Sequence, residues 1–268
     1  MINIATLIDR FEKKLAKKCF DDHDIGKCPQ GKRCTCKIAA ELKAYMYSVI
    51  GSPYYQYTIW DFDGRYGDKQ LIKPEHVASA KKKVLEYCWD GVSLDDLASH
   101  QHKKSELQLD SKSIIHKRGN SGTNVVIYAP HGTQVGRTFT AALIMREAIK
   151  QRIHLEHETD TYRWVDYSQL CYILKNWDKE AEANDLVTAN WLVVDNIKRD
   201  GGSKNAEVYV SSIIDPFFIE RAKDGLPTIF VFKFDINEEN IRWEDRFGNA
   251  ISNIVQRDKT FKIGLGLQ

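Results

Sequence analysis

Residues 124–149 read NVVIYAPHGTQVGRTFTAALIMREAI, a continuous apolar run, a glycine-bearing turn and then apolar residues at helical spacing. A strand that passes through such a turn into a helix is a way of presenting backbone N–H groups to an anion. Small residues let the N–H groups point inward, the positive end of the helix faces the phosphates, a cation reaches the β- and γ-phosphates, and a hydroxyl serves magnesium. Here the loop His131, Gly132, Thr133, Gln134, Val135 and Gly136 forms the expected cradle, Arg137 supplies the cation and Thr138 the hydroxyl. Against the pattern G-x-x-x-x-G-K-[ST], His131 stands where the first glycine belongs and Arg137 where the lysine belongs. A planar guanidinium is bulkier than an ammonium, so the exchange alters the fit in a tight backbone cradle.

Further along, WLVVDN (191–196) is an apolar strand ending in Asp195. That is where nucleotide-binding proteins of this class keep an acid for magnesium; the plainer reading is a turn or helix-cap aspartate. Many ATPases follow it with a second acid that activates water. This chain has Asn196, which cannot act as a base. The expectation is nucleotide binding with weak hydrolysis at most.

Around these motifs, short apolar runs (NVVIYA, YRWVD, ANWLVVDNI, PTIFVFKFDI) alternate with helical stretches (RTFTAALIMREAIKQR, AEVYVSSIIDPFFIERAKDG, WEDRFGNAISNIVQ). That alternation predicts an α/β fold with a parallel sheet covered on both faces. A chain of 268 residues has room for one such domain and an appendage. No segment approaches the roughly 18 consecutive apolar residues of a membrane span. The start, MINIATLIDRFEKKLAKK, alternates apolar residues with Lys and Glu from Asp9 onward and lacks the apolar core and cleavage site of a secretory signal, so a soluble cytoplasmic protein is expected.

Residues 1–120 carry 21 Lys and Arg against 16 Asp and Glu, a surplus of five, and the rest of the chain is at minus three, which sums to the net +2. The basic half suits nucleic-acid contact, although a solvated surface is the simpler explanation. It opens with an amphipathic helix over 2–18 and continues into CFDDHDIGKCPQGKRCTCK. Without a secretion signal, Cys19, Cys28, Cys34 and Cys36 point to a metal rather than to disulfides. Four thiolates suit tetrahedral zinc; reduced thiols or an iron–sulfur cluster are the alternatives, and His23 could replace one ligand. A second helix follows over KIAAELKAYMYSVIG, ended by Gly51 and Pro53. The domain reading is therefore a helical zinc-binding module at 1–50 and a nucleotide-binding domain at 51–268. In the connection after Pro53, Tyr54, Tyr55, Tyr57, Trp60 and Phe62 could stack bases, but packing against the core is preferred.

The order GTQVGRTFTAALI, WLVVDNI, SSIIDPFFIERAKDGLPTIFVFKFDI and EDRFGNAISNIVQR resembles the AAA+ core of replicative helicase loaders of the DnaC type and their IstB-type transposition relatives, over residues 120–257. The resemblance implies a RecA-like AAA+ core with a parallel sheet, and ATP and magnesium bound by Gly136, Arg137, Thr138 and Asp195. It also implies self-association into a ring or spiral and a finger arginine, for which Arg246 and Arg257 are the nearby candidates. The family's terminal arginines map onto Ala250 and Ile254, and its polar sensor falls near Phe232 or Lys233. On this reading the chain is a phage- or mobile-element-like adaptor in DNA replication whose partners are a replicative helicase, met through the zinc module, and single-stranded DNA. The rival readings are an IstB-like regulator that polymerises on DNA, and a pseudo-ATPase scaffold.

Overall fold

A computed structural model of the chain describes residues 35–51, 54–59, 61–66, 69–70, 72–95, 113–130, 136–154, 161–198, 204–238, 243–257 and 259–265. The first helix, α1 (Thr35–Ile50), ends at the glycine turn, where Gly51 N–H returns to Tyr47 O and Gly51 takes a left-handed φ of 79°. A 3-10 turn (Tyr54–Gln56) and a short antiparallel pair, β1 (Arg65–Tyr66) and β2 (Lys69–Gln70), lead to α2 (Pro74–Cys88), which has proline at its first turn as expected. After α3 (Ile115–Asn120) the chain runs β3 (Val125–Tyr128), α4 (Arg137–His154), β4 (Tyr162–Asp166), α5 (Tyr167–Lys175), α6 (Glu180–Val187), β5 (Trp191–Ile197), α7 (Lys204–Lys223), β6 (Thr228–Phe232), α8 (Trp243–Gln256) and β7 (Phe261–Gly264).

The five long-range strands form one sheet in the order β4-β5-β6-β3-β7, and every pairing is parallel. Its strands are apolar without interruption because both faces are covered. With a side-chain period of two, Val125, Ile127, Val193, Ile229, Val231 and Ile263 enter one core with α1, α2 and α4. Val126, Leu192, Val194, Phe230 and Phe232 enter another with α5, α6, α7 and α8.

The topology fixes where a site can form. The chain leaves β3 through α4 on one face and crosses to the edge strand β4; it leaves β6 through α8 on the opposite face and passes β3 to reach β7. Since β3 and β6 are neighbours, their outgoing connections diverge. A crevice at their carboxyl ends is the position where open α/β sheets bind ligands.

Three features depart from expectation. The edge strand β7 has no counterpart in the sequence reading: only Ile263 of its four residues is buried, so no apolar run announces it. Strand β6 stops at Phe232, although Phe234 and Ile236 continue the core as the chain bends. Helix α8 is broken at Gly248 (φ 79°, ψ 168°), and its second part is capped from α7, where Asp215 accepts Asn249 N–H at 3.0 Å and Ala250 N–H at 2.8 Å.

Helix α1 packs Leu42, Met46 and Ile50 into the α4 core, and Tyr162 N–H donates to Tyr45 Oη at 3.2 Å. Cys36 falls in its first turn, since the helix starts at Thr35 rather than Lys37. Cys19, Cys28 and Cys34, and the side chain of Cys36, lie outside the described residues, as does the helix expected over 2–18. Among the described residues no three His, Cys, Asp or Glu side chains gather into a metal-binding group, and no helix is long and apolar enough to cross a membrane.

One buried charge belongs to the fold itself. Arg221, 1% exposed near the end of α7, donates through Nη1 to the carbonyls of Leu186 (3.0 Å), Val187 (3.0 Å) and Ala189 (2.8 Å), through Nη2 to Pro227 O (2.8 Å) and through Nε to Thr228 Oγ1 (3.1 Å). It closes the carboxyl end of α6, where carbonyls have no partner within the helix. Burial pushes its pKa down to about 9, which leaves it charged at neutral pH.

Candidate functional site

At the carboxyl end of β3 the chain passes Ala129 and Pro130. The cradle residues His131, Gly132, Thr133, Gln134 and Val135 lie outside the described residues. The chain resumes at Gly136 with φ 76°, and α4 begins at Arg137. Glycine is needed at 136 for conformation and for space, since a Cβ there would lie 2.7 Å from Phe62 Cε2 and 2.9 Å from Phe62 Cζ.

Phe62 in turn stacks on Phe139 in the first turn of α4, with centroids 4.8 Å apart and planes at 20°. Tyr57 and Tyr54 flank the same ring at 5.4 and 6.3 Å. These aromatic side chains of the connection pack where the cradle meets its helix; Trp60 lies outside the described residues. Gly136→Ala should cost about 1–3 kcal/mol from backbone strain and displacement of Phe62, read as a lower midpoint in urea unfolding.

Thr138 and Asp195, 57 residues apart in sequence, meet directly: Thr138 Oγ1 donates to Asp195 Oδ2 at 3.1 Å. Asp195 is 5% exposed. Burial raises its pKa, against the opposing pull of the Asn196 N–H (2.7 Å), the Thr138 hydroxyl and the charge of Lys233, while Asp166 adds to the rise. Arg137 donates to Ala129 O at 3.3 Å, and burial lowers its pKa against the attraction of Asp195.

Asn196 adopts φ 62°, the left-handed region, and the β5–β6 register shifts between Val194 and Ile197, a bulge at the strand end. Its Nδ2 donates to Asp166 Oδ2 at 2.5 Å. Asp166 pairs in register with Asp195 across β4 and β5, and it also accepts Ser168 N–H (2.9 Å) and Oγ–H (2.6 Å) as the cap of α5. For Asp166, burial alone would raise the pKa, but the hydrogen bonds from Ser168 and Asn196 outweigh it and hold the carboxyl below its ordinary range.

Asp166 is the residue that sequence reading missed. Its only signal is that YRWVD, like WLVVD, is a strand that ends in an aspartate. Lys233, at the expected sensor position, lies close enough to act on Asp195. Ala250 and Ile254, where the resemblance would put arginines, are core residues. Arg246 lies in α8 ahead of the break, and its side chain is outside the described residues. Arg257 is exposed after α8, away from the crevice.

The donor set of one hydroxyl and one carboxylate, with phosphate oxygens to complete the shell, is what magnesium takes. The buried Asp195 carboxylate, disfavoured by desolvation, would gain from a cation beside it. The amino end of α4 and Arg137 offer positive charge to an anion at the same place. The described residues therefore fit a magnesium-bound phosphate ligand in the crevice.

No protein-family model and no curated protein matches the chain. Among solved structures it is similar to DnaI (14% identity, 68% of this chain and 93% of that one, TM-score 0.40). It is likewise similar to the DnaC helicase loader (15% identity, 70% and 98% covered, TM-score 0.42). A third is a structure described as a primosome component of Streptococcus pyogenes serotype M3 (13% identity, 70% and 87% covered, TM-score 0.41).

Proposed function

We propose that the chain is a nucleotide-responsive adaptor of the helicase-loader kind, which binds ATP and magnesium in the crevice and recruits a replicative helicase to single-stranded DNA. The observation that supports this reading most is the Thr138–Asp195 hydrogen bond at the switch point of the sheet, at the amino end of α4 and next to Arg137. In this reading the loop 131–136, Arg137 and Thr138 hold the phosphates and magnesium, and Asp195 is the acid associated with the metal. Bound nucleotide acts as a switch: contacts to the γ-phosphate order the surfaces through which copies assemble into a ring or spiral, with Arg246 as the finger. Residues 1–50 meet the helicase, with zinc on Cys19, Cys28, Cys34 and Cys36, and 51–268 form the nucleotide-binding domain.

Asp166 takes the water-activating role that Asn196 cannot. A carboxylate held below its ordinary pKa is a weak base, so turnover is slow. Asp166→Asn should lower single-turnover hydrolysis at least about tenfold while leaving the ATP dissociation constant within about twofold. Equal loss of both would mean that Asp166 only supports the fold.

Titration calorimetry with ATP and magnesium tests the core of the proposal. Binding is expected, with Arg137→Ala and Asp195→Asn each weakening it at least about tenfold, or about 1.4 kcal/mol. Absence of heat in the wild-type protein, or binding indifferent to both substitutions, would leave a scaffold without a switch. Co-purification from the native host should recover a hexameric helicase and one zinc per chain; a transposase in its place would favour a regulator that polymerises on DNA.

A further inference from the structure

We propose that the cavity at the opposite, amino-terminal edge of the sheet is a second anion site, which takes a phosphate-bearing small molecule of about mononucleotide size. The cavity has a volume of 530 Å³ and opens where three strands begin, beside Asn124, Thr228 and Phe261. Because the strands are parallel, this edge is remote from Asp195 and Thr138. A volume of this order suits a compact ligand.

Its chemistry is one-sided. Arg118, Arg221, Arg257 and Lys259 line it, and no carboxylate does so among the described residues. Two of these cations are poorly compensated. The Nε–H of Arg118 is buried with no hydrogen-bond partner, and its guanidinium lies 5.7 Å from the centroid of the Tyr87 ring. Arg221 meets only neutral oxygens and so keeps its full charge beneath the cavity floor. Four like charges around one recess, two of them on its exposed rim, repel one another, and an anion between them would turn that repulsion into attraction. Phosphate matches the donors: it accepts from guanidinium forks, and the hydroxyl of Ser121 stands at the same wall. The shape favours a compact molecule over a polynucleotide, which needs an open groove with successive stacking rings.

The inference does not depend on nucleotide binding in the crevice, and the test keeps the two apart. In the full-length Arg137→Ala protein, calorimetry without magnesium should detect binding of inorganic pyrophosphate and of AMP, at one site per chain. Adding Arg257→Glu and Lys259→Glu should weaken both ligands at least about tenfold. Both side chains are exposed, so an unchanged circular dichroism spectrum and melting temperature are expected of the reversed protein. The proposal is overturned if neither ligand binds, if binding survives the charge reversals, or if only a single-stranded oligonucleotide binds, since that would indicate an extended polyanion surface.

Discussion

Arg221→Met should destabilise the protein by about 3–5 kcal/mol, because it strips the donors from several buried acceptors at once. Methionine replaces the aliphatic stem but none of the donors. The carbonyls of Leu186, Val187, Ala189 and Pro227 and the hydroxyl of Thr228 would each lose a hydrogen bond. An unsatisfied buried acceptor costs about 1–3 kcal/mol, and water entering from the adjoining cavity would recover part of the total. Arg221→Lys should recover only a fraction, because one ammonium has three donors in a compact head and cannot span the end of α6 and the start of β6 together. Urea unfolding would show a lower midpoint with an unchanged slope. A loss below about 1 kcal/mol would mean that the end of α6 is closed by some other means.

Gly248→Ala should cost about 1.5–5 kcal/mol through two separable effects. The backbone at φ 79°, ψ 168° lies in a region open in practice only to glycine, which accounts for about 1–3 kcal/mol. An added Cβ would also fall on Asp215 Oδ1, the atom that caps Ala250, so the cap is strained or lost at about 0.5–2 kcal/mol. Asp215→Ala removes the cap and the obstacle together and should cost about 1 kcal/mol alone. In the double variant the losses should add to less than their sum, because the two changes act on one contact. Strict additivity would show that the clash is relieved by movement of α7.

What could be read from residues alone follows a physical pattern. Strands β3 and β5 were legible because both faces are buried and the apolar string is unbroken, and the turn after β3 because Gly136 has a conformational and a steric reason to be glycine. Strand β7 was not, because three of its four residues are not buried and its partner β3 lies far back in the chain. Asp166 is the cap of α5, and its place beside Asp195 comes from the register of two strands, which no local pattern encodes. In the same way Arg221, within ERAKDG, has the appearance of a solvated surface charge, and only the packing of α6 against the end of α7 makes it a core residue. The glycine at 136 and the aspartate at the end of β5 needed only local spacing to be singled out. The cavity at the far edge of the sheet needed three strand starts and two turns brought together.

The bulge at the end of β5 bears on what a second acid at position 196 would do. One codon change, Asn196→Asp, is the simplest route to a water-activating acid after Asp195. The left-handed backbone at 196 and the 2.5 Å approach to Asp166 close that route. A carboxylate placed there would face another carboxylate where an amide now donates, and one of the two would hold a proton instead of accepting one from water. A carboxylate at 196 would therefore act as a base only after the strand end had been rebuilt.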